Sequence, residues 1–174
     1  MEEKHIEPTM QEIQAKLLEI LRYYHTFCQK HDLKYTLAGG TCLGAVRHRG
    51  FIPWDDDVDV FMLREDYERL QALWEQDADT ARYSCVRSDD KMNIHHAATE
   101  IKDNNTTFIN KHSVDLDIHQ GLMIDVIPID NVAASKPARL MQMFWAMIYC
   151  CFNFQRLPDH KSKLVYYMTK AALG

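Results

Sequence analysis

The chain has 174 residues, with 20 lysines and arginines against 25 aspartates and glutamates, for a formal charge of -5. That balance argues against a protein that coats nucleic acid, and 47% apolar with 26% charged residues is the composition of a folded chain, not a disordered one. The length suits a single domain, 1–174, able to bury roughly two thirds of its unfolded surface.

The segment Met1 to Pro8 is charged and lacks the apolar run of a secretory signal, so a cytoplasmic location is expected. Five cysteines, an odd number without a C-x-x-C pair, fit reduced thiols; the neighbours Cys150 and Cys151 in an apolar stretch are expected in the core. The apolar run Met143 to Phe152 is too short for the roughly 20 residues that span a bilayer.

Thr9 opens the first predicted helix. Glu12 completes a capping box, and Met10, Ile13, Leu17, Ile20 or Leu21, Tyr24 and Phe27 recur at helical spacing to about Lys30. Lys34 to Ala38 reads as a short strand broken by Gly39-Gly40. Thr41 to Arg49 follows as a short helix closed by Gly50, and Phe51 to Trp54 as an extended link. Asp55 to Met62 alternates like a strand, with Val58, Val60 and Met62 on one face and Asp57, Asp59 and Phe61 on the other.

Glu65 to Glu75 returns to helical spacing through Tyr67, Leu70 and Trp74, and Arg82 to Ile109 is a mixed stretch with short strand-like pieces. Gly121 to Ile127 is a strand ended by Pro128. Ser135 and Pro137 start a helix rich in Met and aromatics, and a last helix is expected from about His160 to Leu173. Interleaved helices and strands place the chain in the α/β class, an α+β mixed sheet with flanking helices.

The chemistry concentrates in two places. Asp57 and Asp59, at i and i+2 on a strand, share a face, and their repulsion is costly unless a cation sits between them. Mg2+ or Mn2+ suits hard oxygen ligands. Asp125, an acid on an otherwise apolar strand, is the natural third ligand, because an unpaired buried carboxylate is expensive; an acid facing water at a strand end is the plainer alternative. A calcium loop fails, since counting from Asp55 puts Val60 where the turn glycine belongs and Asp66 where a bidentate glutamate belongs. A D-x-D that grips a sugar nucleotide stays open. Gly39-Gly40-Thr41 favours a phosphate held at a helix N-terminus and clamped by a metal on the acids.

Leu37 to His48 (LAGGTCLGAVRH), then Gly50 to Asp59 (GFIPWDDDVD), resembles the LicD family of phosphotransferases, which includes phosphocholine transferases and is similar to the fukutin-related proteins. Arg64-Glu65-Asp66-Tyr67, Asn105-Thr106-Thr107-Phe108 and Gly121 to Asp130 (GLMIDVIPID) extend the resemblance over about residues 10 to 131. The resemblance implies a nucleotidyltransferase-like fold in which Gly39, Gly40, Asp57, Asp59 and Asp125 match the glycine turn and acidic triad, with Asp55 as a further metal ligand. It also implies transfer of a phosphorylated alcohol, typically phosphocholine from CDP-choline, to a sugar hydroxyl of a surface glycan or teichoic acid precursor. On chemical grounds Asp125 is the candidate general base.

Arg47 and His48 complement the dipole at the end of their helix, or meet donor phosphates together with Arg49. Trp54 is either a core anchor or a stacking surface for the base or the choline cation. Lys102 is either a phosphate ligand or a solvated lysine, and His119 belongs at the site rim. Zinc at His95-His96 is rejected, because adjacent residues on a strand face opposite ways. The helix from Leu140 to Phe154 is core or interface, docking on the inner membrane face or on a second copy. A small nucleotidyltransferase using an NTP, and a nucleotide-binding subunit without turnover, are the rival functions. Residues 135–174 look like a truncated remainder beside longer family members.

Overall fold

The computed structural model describes residues 8–88, 94, 96–109 and 119–154, and the helix expected from His160 lies outside them. The described residues form two compact units, one within 8–86 and 98–129, the other within 87–97 and 130–154.

The first unit is built on a five-stranded sheet in the order β1-β2-β5-β4-β3, where β1 is Tyr35–Leu37, β2 Asp59–Leu63, β3 Tyr83–Val86, β4 Thr99–Asp103 and β5 Met123–Ile129. Helix α1 is Met10–Lys30, α2 Gly39–His48 and α3 Arg64–Asp77. Among the described residues only β2 and β5 run parallel, and the other three pairings are antiparallel. The mixed sheet with its helices is the expected α/β class.

Alternation decides which face is covered. Val58, Val60 and Met62 share one face as predicted, that face is buried, and register sets Val60 beside Val126 and Ile101 beside Ile124. Leu17, Ile20, Tyr24 and Phe27 of α1 and Tyr67, Leu70 and Trp74 of α3 join them in one apolar cluster. Trp74 is fully enclosed, so its indole N–H needs a partner and donates to the Tyr83 carbonyl at 3.1 Å. Thr9 and Glu12 form the predicted capping box at the start of α1.

Several local expectations shift. Gly39 and Gly40 open α2 instead of preceding it, with Ala38 as the N-cap. The left-handed residue that ends α2 is Arg49, φ 56°, not Gly50; the Gly50 N–H returns to the Gly44 carbonyl, so the bulky residue carries the turn at a cost of about 1 kcal/mol. Asp57 precedes β2, which begins at Asp59. Pro128 does not end β5, which continues to Ile129. Asp125 donates its N–H to the Val58 carbonyl on the β2 side, so backbone nitrogens of the other parity face β4, and that of Pro128, which carries no hydrogen, is among them. The β4 pairing stops at Val126, and no ladder bond is lost. The mixed stretch 82–109 contains β3 and β4.

In the second unit α4 is Lys136–Phe154. Ser135 caps it, accepting from Ala138 N–H, as predicted. Gln142 ties the preceding segment down, donating to the Asn131 carbonyl and accepting from Ala133 N–H. Leu140, Met143, Trp145 and Cys150 are exposed, contrary to the core reading of this helix and of Cys150. No described helix is long and apolar enough to cross a membrane.

Candidate active site

The face of the sheet opposite α1 and α3 carries the acids. In the parallel pair Asp59 lies directly beside Asp125, and in the antiparallel pair Asp125 lies directly beside Glu100. Neighbours in register point the same way, so Asp59, Asp125 and Glu100 form one row across three strands. Carboxylate oxygens of Glu100 and Asp125 come within 4.8 Å of each other. Glu100 was missed from sequence: all five residues of β4, Thr-Glu-Ile-Lys-Asp, are buried, yet a strand with three charged residues among five reads as surface.

The loop leading into β2 adds two more acids. Gln14 of α1 donates to the carbonyls of Ile52 at 3.0 Å and Asp55 at 2.9 Å, pinning that loop to the helix. Asp55 turns its side chain inward, and its Oδ2 is buried without a hydrogen-bond partner among the described residues. Asp57 stays at the surface. Crowding in the loop strips water from its carboxyl, and repulsion from Asp55, Asp59 and Asp56 adds to this, so its pKa is raised.

The start of α2 closes over these acids. Gly39, at φ +46°, has the Asp59 Oδ2 3.3 Å from where a Cβ would stand, and Gly40 has the Asp55 Oδ2 at 2.8 Å. The glycines therefore make room for carboxylates at the positive end of a helix, in the absence of a side-chain cap. Thr41 has a mainly local task, its hydroxyl accepting the Asp59 N–H at 2.9 Å. Carboxylates with one buried, unbonded oxygen among them are the hard donors that a divalent cation takes, and Asp55, Asp57, Asp59 and Asp125 could hold one.

The other sequence candidates fall elsewhere. Arg47 and His48 are exposed in the last turn of α2. Seven residues of helical rise, about 10 Å, separate Arg47 from Gly40. Trp54 is 76% exposed, which rules out a core anchor and leaves a ring beside Asp55 facing solvent. Lys102 is neither solvated nor directed outward: it is 2% exposed, 2.8 Å from Glu100 Oε2, and donates to the His119 carbonyl. His119 is partly buried near the Lys102 ammonium, and both effects lower its pKa. His95 lies outside the described residues, and His96 belongs to the second unit.

Comparison with known proteins identifies a family. Residues 32–132 match the family model for the LicD/FKTN/FKRP nucleotidyltransferase domain. A lipopolysaccharide cholinephosphotransferase, LicD, of Haemophilus influenzae is 49% identical over 69 residues, 40% of this chain and 26% of that protein. A human ribitol 5-phosphate transferase, FKRP, is 40% identical over 57 residues, 33% of this chain and 12% of that protein. A yeast mannosyltransferase regulator is 25% identical over 130 residues, 71% of this chain and 10% of that protein. The chain thus spans about a quarter or less of the length of these relatives. With the family domain matched over more than half of its residues, this chain belongs to the LicD/FKTN/FKRP family.

Proposed function

We propose that this chain transfers a phosphorylated alcohol, phosphocholine foremost, from a CDP-linked donor to a sugar hydroxyl of a cell-surface glycan or teichoic acid precursor, with Mg2+ or Mn2+. The observation that carries the reading is the register of β2 against β5, which sets Asp59 beside Asp125 under the glycine-opened end of α2. The cholinephosphotransferase and ribitol 5-phosphate transferase among the relatives support the donor class.

In this reaction the sugar oxygen bonds to the phosphorus that carries the alcohol, as the bond from that phosphorus to the CMP oxygen breaks. The hydroxyl proton passes to the Asp125 carboxylate, and CMP leaves with the electron pair. The N–H groups at Gly39 and Gly40 orient the donor phosphates, Asp55 and Asp59 hold their carboxylates beneath them, and Trp54 offers a face to the base or the trimethylammonium group. A divalent cation bound by the acids would offset the negative charge of the phosphates. Arg47 and His48, exposed at the far end of α2, would meet donor groups away from the glycines.

The test is donor turnover by purified protein with Mg2+. CMP release from CDP-choline or CDP-ribitol is expected, and Asp59→Asn or Asp125→Asn should lower it by at least about 100-fold, with the fold retained by circular dichroism. Pyrophosphate release from an NTP, with no CMP from CDP-choline, would favour nucleotidyl transfer instead. Donor binding without release of either product would leave a binding subunit.

A further inference from the structure

Lys102 and Glu100 are two residues apart on β4, so both stand on the face that carries Asp125 and Asp59. They are 2% and 5% exposed. Enclosing a lysine and a glutamate is unfavourable unless they pair closely, and replacing such a pair with apolar residues is often neutral or stabilising. Stability alone therefore gives little reason for charges here.

Their contacts point to geometry. The Lys102 ammonium is 2.8 Å from Glu100 Oε2 and donates to the His119 carbonyl at 2.5 Å. That carbonyl begins the segment leading into β5. Three backbone donors tie the same segment to the end of β4 and the turn beyond it: Asp103 to Leu122 O, Leu122 to Thr106 Oγ1 and Phe108 to Gln120 O. Gly121 fits because a Cβ there would stand 2.6 Å from the Asp103 carbonyl. Lys102 makes the one ionic contact in this set. It links the entry of Asp125's own strand to Glu100, the carboxylate in register beside Asp125.

We propose that Lys102 and Glu100 form a positioning pair, in which the buried ammonium fixes the segment entering β5 and the carboxylate beside Asp125, so that Asp125 stays aligned with Asp59. This role rests on the assignment of Asp125 to the reaction centre. It removes Lys102 from the donor phosphates and gives Glu100 a task without making it a reacting group.

Charge and position predict opposite outcomes. Removing a cation beside acids should tighten divalent-metal binding if only charge matters, whereas loss of alignment weakens it. The full chain and three variants, Lys102→Met, Glu100→Gln and the double variant, are titrated with Mn2+ by electron paramagnetic resonance and assayed for CMP release from CDP-choline. The double variant has the wild-type net charge and no stranded carboxylate, so it keeps the test open if Lys102→Met fails to fold. The expected result is Mn2+ affinity and kcat each lowered about tenfold in the double variant, with KM for CDP-choline unchanged and the melting midpoint near wild type.

Tighter Mn2+ binding in Lys102→Met, or wild-type affinity and kcat in the double variant, overturns the pair's role. A raised KM with unchanged kcat also overturns it and returns Lys102 to the donor phosphates. If the wild-type chain neither binds Mn2+ nor releases CMP, the functional reading falls and takes this role with it.

Discussion

Gly40 and Gly44 lie one turn apart in α2, and alanine at the two positions should have opposite effects. At Gly40 the new Cβ would stand 2.8 Å from the Asp55 Oδ2, the end of a side chain that can rotate away. Alanine is worth about 0.5–1 kcal/mol over glycine inside a helix, less in a first turn. For a chain of this size roughly 2–4 °C accompanies each kcal/mol, so the melting midpoint should hold or rise by about 1–3 °C. Displacing Asp55 should nevertheless weaken Mn2+ binding and donor turnover about tenfold. At Gly44 the Cβ would meet the Gly50 carbonyl at 2.6 Å and the Ile52 nitrogen at 3.0 Å, both main-chain atoms held by the turn. Overpacking of this kind costs about 1–3 kcal/mol, and the midpoint should fall by several degrees. Scanning calorimetry without divalent cations, then Mn2+ titration of both variants, separates the effects. Equal destabilisation by the two, or unchanged Mn2+ affinity in Gly40→Ala, refutes the idea that the glycine leaves room for a metal-holding carboxylate.

Two further outcomes concern the loop between α2 and β2. The folded pKa of Asp57 is raised above its ordinary value of 3.8, so its favourable contribution is present below that value and lost as pH rises through the folded one. Asp57→Asn should therefore raise the midpoint at pH 7 and leave it unchanged near pH 3, and saturating Mg2+ should shrink the pH 7 gain; a lower midpoint at pH 7 contradicts the crowding. Trp54→Ala should leave the midpoint unchanged, because the ring is 76% exposed, while raising KM for CDP-choline; an unchanged KM removes the stacking role.

Much of the site is legible in sequence because its parts are local. The capping box at Thr9, the buried parity of Val58, Val60 and Met62, the glycine turn and the lone acid Asp125 each follow from spacing within a few residues. What sequence missed depends on neighbours far along the chain. Pairing of β4 between β3 and β5 encloses Glu100 and Lys102, which as an isolated stretch look solvated. Trp54 looked like an anchor because tryptophan is usually buried, yet Gln14 and the inward turn of Asp55 fix a loop that leaves the ring outside. Pro128 looked like a stop because its cost in a strand depends on where the adjacent pairing ends.

The parallel pairing of β2 with β5 also governs when the site comes into existence. Asp59 and Asp125 are 66 positions apart, and α3, β3 and β4 all lie between them in the chain. Antiparallel neighbours can close through a short turn, whereas this pair requires a long loop to be brought together before any contact compensates for it. A nascent chain synthesised as far as β4 carries the glycine turn and Asp55 to Asp59 but has no Asp125 to set beside them. The acid row is therefore a product of completed folding, and a partly folded chain lacks it.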